Sequence, residues 1–114
     1  MAGSVVYINV DEGAKRVMNN TKLYIKLLIK FKEDQSISQI DSALSGKDME
    51  AARNAAHTLK GLAANLSLIE LYNQVAELEK QIKSGSADNA QAALVKSVYD
   101  QTIIEVDKVI AQNA

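Results

Sequence analysis

The sequence predicts an all-α protein, an antiparallel up-and-down four-helix bundle with a short extra helix at its N-terminal end. Three observations carry this expectation. Leu, Ile, Val and Ala recur at alternating spacings of three and four residues through most of the chain, the period of an amphipathic helix rather than of a strand. Proline is absent and the five glycines sit mostly where these periodic stretches stop, so little interrupts long helices. Aromatic residues make up only 4% of a chain that is 47% hydrophobic, as in a core built from aliphatic helix faces. With 114 residues there is room for one domain. Residues 1–114 are therefore read as a single helical bundle, with residues 1–8 as a flexible or cloning-derived extension that begins Met1-Ala2-Gly3-Ser4.

The elements follow in order. Asn9 to Met18 reads as a short helix with Asp11 as candidate N-cap. Asn20 or Thr21 can cap a longer helix in which Tyr24, Leu27, Leu28 and Phe31, then Ile37, Ile40 and Leu44, keep helical spacing up to Ser45-Gly46. The apolar period slips near Asp34 to Ser36, which marks a candidate break. Asp48 is the candidate cap of the next helix, whose core stripe is Met49, Ala52, Ala56, Leu59, Ala63 and Leu66. Ser67 precedes Glu70 by three residues, the spacing of a capping box, so a further helix is expected to begin near Leu68. Its stripe is Leu68, Leu71, Val75, Leu78 and Ile82, and Gly85 supplies a left-handed stop. Asp88 then caps a last helix with Val95, Val98, Thr102, Val106 and Val109 on one face.

Composition removes several functions. A net charge of -1 and a pI near 5.8 leave no basic field for nucleic acid. Without cysteine there are no disulfides, thiol catalysis or thiolate metal sites, which fits a reducing cytoplasm. No apolar run of about 18 residues and no secretory signal is present, so the chain is expected to be soluble, cytoplasmic and not inserted in a membrane. One histidine and no paired carboxylates argue against a helical hydrolase or a metalloprotein. The acidic residues are expected on solvent faces.

The one place for chemistry is the only histidine, His57. At about 100° per residue, Ala52, Ala56, Leu59 and Ala63 cluster, while His57, Lys60, Gly61 and Ala64 fall on a strip centred roughly 120° away. His57 is thus outside the core stripe. Alone, it is most simply a solvated residue. Gly61, one turn later on the same strip, changes this, because glycine inside a helix costs roughly 0.5–1 kcal/mol relative to alanine. A missing side chain there clears room for another protein to approach the imidazole. Lys60, taken alone a surface lysine, can set an exposed ammonium beside a charged group on that ring. Arg53 and Asn54 before His57, and Ala64 and Asn65 after it, extend the strip as a candidate docking rim, although such residues also make an ordinary solvated face.

The run Ala55-Ala56-His57-Thr58-Leu59-Lys60-Gly61-Leu62-Ala63-Ala64-Asn65-Leu66 resembles the phosphoacceptor motif of histidine-containing phosphotransfer (HPt) domains. The likeness extends to an Asp-Glu-Gly segment near the start, Phe31 in the first long helix, Leu78-Glu79 after the motif, and the overall length. Ser67 departs from it, since the family often has glycine there; the capping box with Glu70 is expected to account for the change.

The resemblance implies a phosphorelay intermediate. His57 accepts a phosphoryl group from the aspartyl phosphate of one response-regulator receiver domain and passes it to another, with hybrid histidine kinases as further partners. It also implies that Lys60 steadies the phosphoryl oxygens and that Gly61 lets the partner close over the ring. No autonomous kinase activity and no cofactor are implied, the magnesium belonging to the receiver. Two other readings remain. One is the phosphoacceptor domain of a chemotaxis-type histidine kinase, against which the chain ends soon after its last helix. The other is a receiver-docking module without chemistry.

Overall fold

The structure is a computed structural model that describes residues 6–113. The expectation for Met1-Ala2-Gly3-Ser4 lies outside the described residues. Six helices follow one another: α1 (Val10–Lys15), α2 (Thr21–Lys32), α3 (Ser36–Ser45), α4 (Met49–Leu66), α5 (Ile69–Lys83) and α6 (Asn89–Gln112). Among the described residues there is no strand. The helices pack as a bundle in which α4 lies between α3 and α5, α6 packs on α5, and α2 reaches across to both α4 and α6.

Local chemistry explains most of the boundaries. The carboxylate of Asp48 accepts from the Ala51 amide at 3.1 Å, Asn20 caps α2 through Leu23 at 3.1 Å, and Asp88 caps α6 through Ala90 at 2.8 Å. Gly85 takes the left-handed conformation that ends α5, with φ 76°.

Four expectations are corrected. Asn9, not Asp11, caps α1, accepting from the Glu12 amide. The long segment from Asn20 to Ser45 is two helices, because the Asp34 carboxylate accepts from the Ser36 amide at 2.9 Å and starts α3 afresh. Tyr7 and Ile8 do not belong to a flexible extension, since they pack against the core and the Asn9 amide that follows them donates to the Ser67 carbonyl at 2.9 Å.

The capping box between Ser67 and Glu70 does not form. Ser67 instead ends α4 in the left-handed conformation, φ 56° and ψ 43°, and α5 begins at Ile69, after Leu68, with no side-chain cap. Its buried hydroxyl donates to Glu12 at 2.8 Å and accepts from the Arg16 guanidinium, while Glu70 accepts from Gln74. The residue type that fits such a backbone without strain is glycine.

The predicted stripes are otherwise the core: Tyr24, Leu28 and Phe31 of α2, Ile37 and Ile40 of α3, Leu59 and Leu66 of α4, all five stripe residues of α5 and all five of α6 are buried. Leu27 and Leu44 are only partly buried against this core, and Met49 is exposed at the first turn of α4. Phe31 and Tyr99 meet with ring centroids 5.8 Å apart, joining α2 to α6, and Lys32 pairs with Asp107 across the same seam.

One clamp fixes the end of α4. The fully buried Tyr24 donates its hydroxyl to the Leu66 carbonyl at 2.6 Å, and Gly13 lies so close to the ring that a Cβ there would clash with it. Burial is the largest influence pushing the Tyr24 hydroxyl up to about 12. Tyr24→Phe should cost about 1 kcal/mol by stranding that carbonyl. Gly13→Ala should cost about 1–3 kcal/mol through overpacking. Urea unfolding of the two variants checks both figures.

Candidate functional site

Helix α4 turns one face into the bundle, with Ala52, Ala55, Ala56, Leu59, Ala63 and Leu66 buried, and the opposite face outward. His57 stands on the outward face with its side chain 71% exposed. Gly61, one turn later, is exposed, and a Cβ built there would meet no atom within 4 Å. Packing between helices therefore does not account for this glycine. Of the rim residues expected from the sequence, Arg53, Asn54 and Asn65 are exposed and Ala64 is half-buried.

The residue that organises this face is Glu79 of α5. Its side chain is only 3% exposed, yet three groups converge on it. The Lys60 ammonium lies 2.6 Å from Oε1, His57 Nδ1 lies 3.2 Å from Oε2, and the Lys83 ammonium lies 3.6 Å from Oε2. Burial by itself would raise the Glu79 carboxyl. The hydrogen bond and charge of Lys60, followed by His57 and Lys83, outweigh this and hold it below the ordinary carboxylate range. Lys60 in turn is raised, first by its hydrogen bond to Glu79, so both members of the pair stay charged.

Two expectations change here. Lys60 is not a free surface ammonium, being 26% exposed and engaged with Glu79. Nor do all acidic residues face solvent. Glu79 sits immediately after Leu78 and four residues after Val75, on the flank of the α5 stripe. An acid at that register beside an apolar stripe, with a lysine available on the neighbouring helix, was the sequence signal for this pair.

An ionised carboxylate can only accept a hydrogen bond, so the His57 contact requires Nδ1 to carry the ring proton. The neutral imidazole then keeps its lone pair on Nε2. Glu79 thereby orients the ring, selects its tautomer and leaves the outer nitrogen as a nucleophile. Thr58, beside it on α4, spends its hydroxyl on the Asn54 carbonyl. Among the described residues no group of three His, Cys, Asp or Glu side chains is placed to hold a metal ion, and no helix is long and apolar enough to cross a membrane.

The depressed carboxyl of Glu79 carries a stability consequence. Its contribution is fully present above the ordinary carboxylate pKa and is lost as pH falls through the lower folded value. Stability of the parent should therefore drop as pH falls below the ordinary carboxylate range, and Glu79→Gln should flatten that part of the profile in urea titrations across pH. Lys60→Ala should destabilise by about 2 kcal/mol at neutral pH, because it strands a buried carboxylate. Adding Glu79→Gln to that variant should recover part of the loss; simple additivity of the two changes would contradict the pairing.

Against this geometry, the family model described as the Hpt domain matches residues 27–111. The match runs from within α2 to the last turn of α6 and contains His57, Lys60, Gly61 and Glu79. Comparisons with curated proteins and with solved structures give no significant match. The family match spans well over half of the chain, and the chain belongs to the Hpt domain family, the histidine phosphotransfer carriers of two-component phosphorelays.

Proposed function

We propose that this protein is a phosphorelay intermediate whose phosphoacceptor is His57. It takes a phosphoryl group from the aspartyl phosphate of one receiver domain, free or within a hybrid histidine kinase, and delivers it to another in the cytoplasm. The observation that carries this reading is the imidazole itself, exposed on a rigid helix with Nδ1 tied to a buried carboxylate and Nε2 left to react. We read the scaffold as an antiparallel four-helix bundle in which α2 and α3 share one corner and α1 is the short extra helix.

The transfer then needs little from this chain. The Nε2 lone pair attacks the phosphorus in line with the scissile bond. The bond from phosphorus to the aspartyl oxygen breaks, and the carboxylate leaves with the electron pair. The ring gains positive charge while Nδ1 keeps its proton, and the Glu79 carboxylate opposite that proton offsets it. Delivery runs the same bonds in reverse on the second receiver. Lys60, held next to the ring by Glu79, adds positive charge that steadies the phosphoryl group. Gly61 leaves the space through which the receiver closes, with Arg53, Asn54, Ala64 and Asn65 as its rim. Magnesium belongs to the receiver side of the complex.

Three variants test this. His57→Gln should abolish acid-labile phosphate after incubation with phosphorylated receivers; normal loading would show that the protein is a docking module. Loading from kinase cores with ATP, but not from phosphorylated receivers, would assign it to the chemotaxis-type kinases instead. Gly61→Ala should stabilise the fold by about 0.5–1 kcal/mol, since the added methyl meets open space. Gly61→Gln should slow transfer from receivers without loss of stability, and unchanged transfer would remove the close-approach role.

A further inference from the structure

We propose that Lys83, at the end of α5, is the ammonium that contacts the phosphoryl group once it is on His57, while Lys60 stays committed to Glu79. This rests on the phosphoacceptor reading of His57 and refines which cation serves it.

Three nitrogen groups share two carboxylate oxygens, and they share them unequally. Lys60 owns Oε1 at 2.6 Å. His57 Nδ1 and Lys83 both address Oε2, at 3.2 and 3.6 Å. If Lys60 swung out to the phosphoryl oxygens, it would leave a carboxylate that is 3% exposed without its principal cation. Lys83 has no such commitment. Its side chain is 56% exposed and its contact to Oε2 is beyond hydrogen-bond reach, so leaving it costs little. Glu79 would keep both Lys60 and His57 as partners.

Position and charge favour the same residue. Lys83 borders the groove formed with Lys60, Glu79 and Lys80, and also the neighbouring groove with Glu50 and Arg53. It therefore stands towards the start of α4, one turn before His57, whereas Lys60 lies on the following turn. Phosphorylation would put a charge of about −1.5 to −2 on the ring that already contacts Oε2. A mobile ammonium next to that same oxygen is the counter-charge at hand, and a four-carbon stem gives it the reach. Among the described residues Arg53 makes no ion pair, but its guanidinium does not touch the Glu79 network that would be perturbed.

The experiment loads the full chain with a small phosphoramidate donor and follows phosphohistidine by phosphorus NMR across pH, alongside the rate of transfer to a receiver. Lys83→Ala should fold as the parent does and still accept phosphate on His57. The apparent pKa of its phosphoryl group should rise by about half a unit to one unit, and transfer should slow about three- to tenfold. Lys83→Arg should restore both, and Lys80→Ala, an exposed lysine of the same groove that makes no ion pair among the described residues, should change neither. Parent-like values in Lys83→Ala, or equal shifts in Lys80→Ala, would overturn the assignment. Failure of the parent to load, or loading of His57→Gln, would instead remove the phosphoacceptor reading, so the two failures are distinct.

Discussion

The Glu79 carboxylate is taken out of water between α4 and α5, and a charge in that position has to be met by cations from the same two helices. Lys60 meets it from α4 and Lys83 from α5. His57 completes the set by placing a ring N–H on an oxygen whose other neighbours are already positive. The imidazole is thus oriented by a group whose own ionisation is secured elsewhere. That separation lets a side chain that is 71% exposed hold a defined tautomer, which an unsupported surface histidine would not do.

The arrangement depends on α4 and α5 being held in register, and the turn between them is where this is enforced. The Leu66 carbonyl is taken by Tyr24, the Ser67 carbonyl by the Asn9 amide, and the Ser67 hydroxyl by Glu12 and Arg16. The N-terminal segment and α2 therefore fasten the far end of the helix that carries His57. Below the site, Leu59 and Ala63 of α4 pack with Leu71, Val75 and Leu78 of α5 in one continuous core. Small residues dominate the α4 face, and Ala52, Ala56 and Ala63 have no exposed surface, so the neighbouring helices can approach closely enough for Lys60 to reach Glu79.

Much of this was legible in the sequence. The helical periodicity, the caps at Asn20, Asp48 and Asp88 and the stop at Gly85 depend on local chemistry, and local chemistry is written in consecutive residues. The outward strip of His57 and Gly61 followed from helical geometry alone. Contacts between distant segments were not legible. Glu79 looked like one more surface acid because its surroundings are decided by residues of α4 such as Lys60 and His57, 19 and 22 residues earlier in the chain. Lys60 was taken as exposed for the same reason. At Ser67 a local rule competed with a distant one: serine three residues before glutamate has capping-box spacing, but Glu12 and Arg16 claim the hydroxyl first. The break at Asp34 showed only as a slipped period, because the strength of one carboxylate-to-amide bond cannot be read from spacing.

Ser67 has one more consequence. A serine held at φ 56° carries strain that a glycine would not, and its hydroxyl offsets this only while Glu12 and Arg16 are in place. Positions 12, 16 and 67 therefore form an epistatic unit. With glycine at 67, substitutions at 12 and 16 would touch only the surface; with serine at 67, the same substitutions reach the turn that holds α4 and α5 together. Chains of this fold should accordingly drift at the N-terminal helix where the turn carries glycine, and keep an acid and an arginine together there where it carries serine.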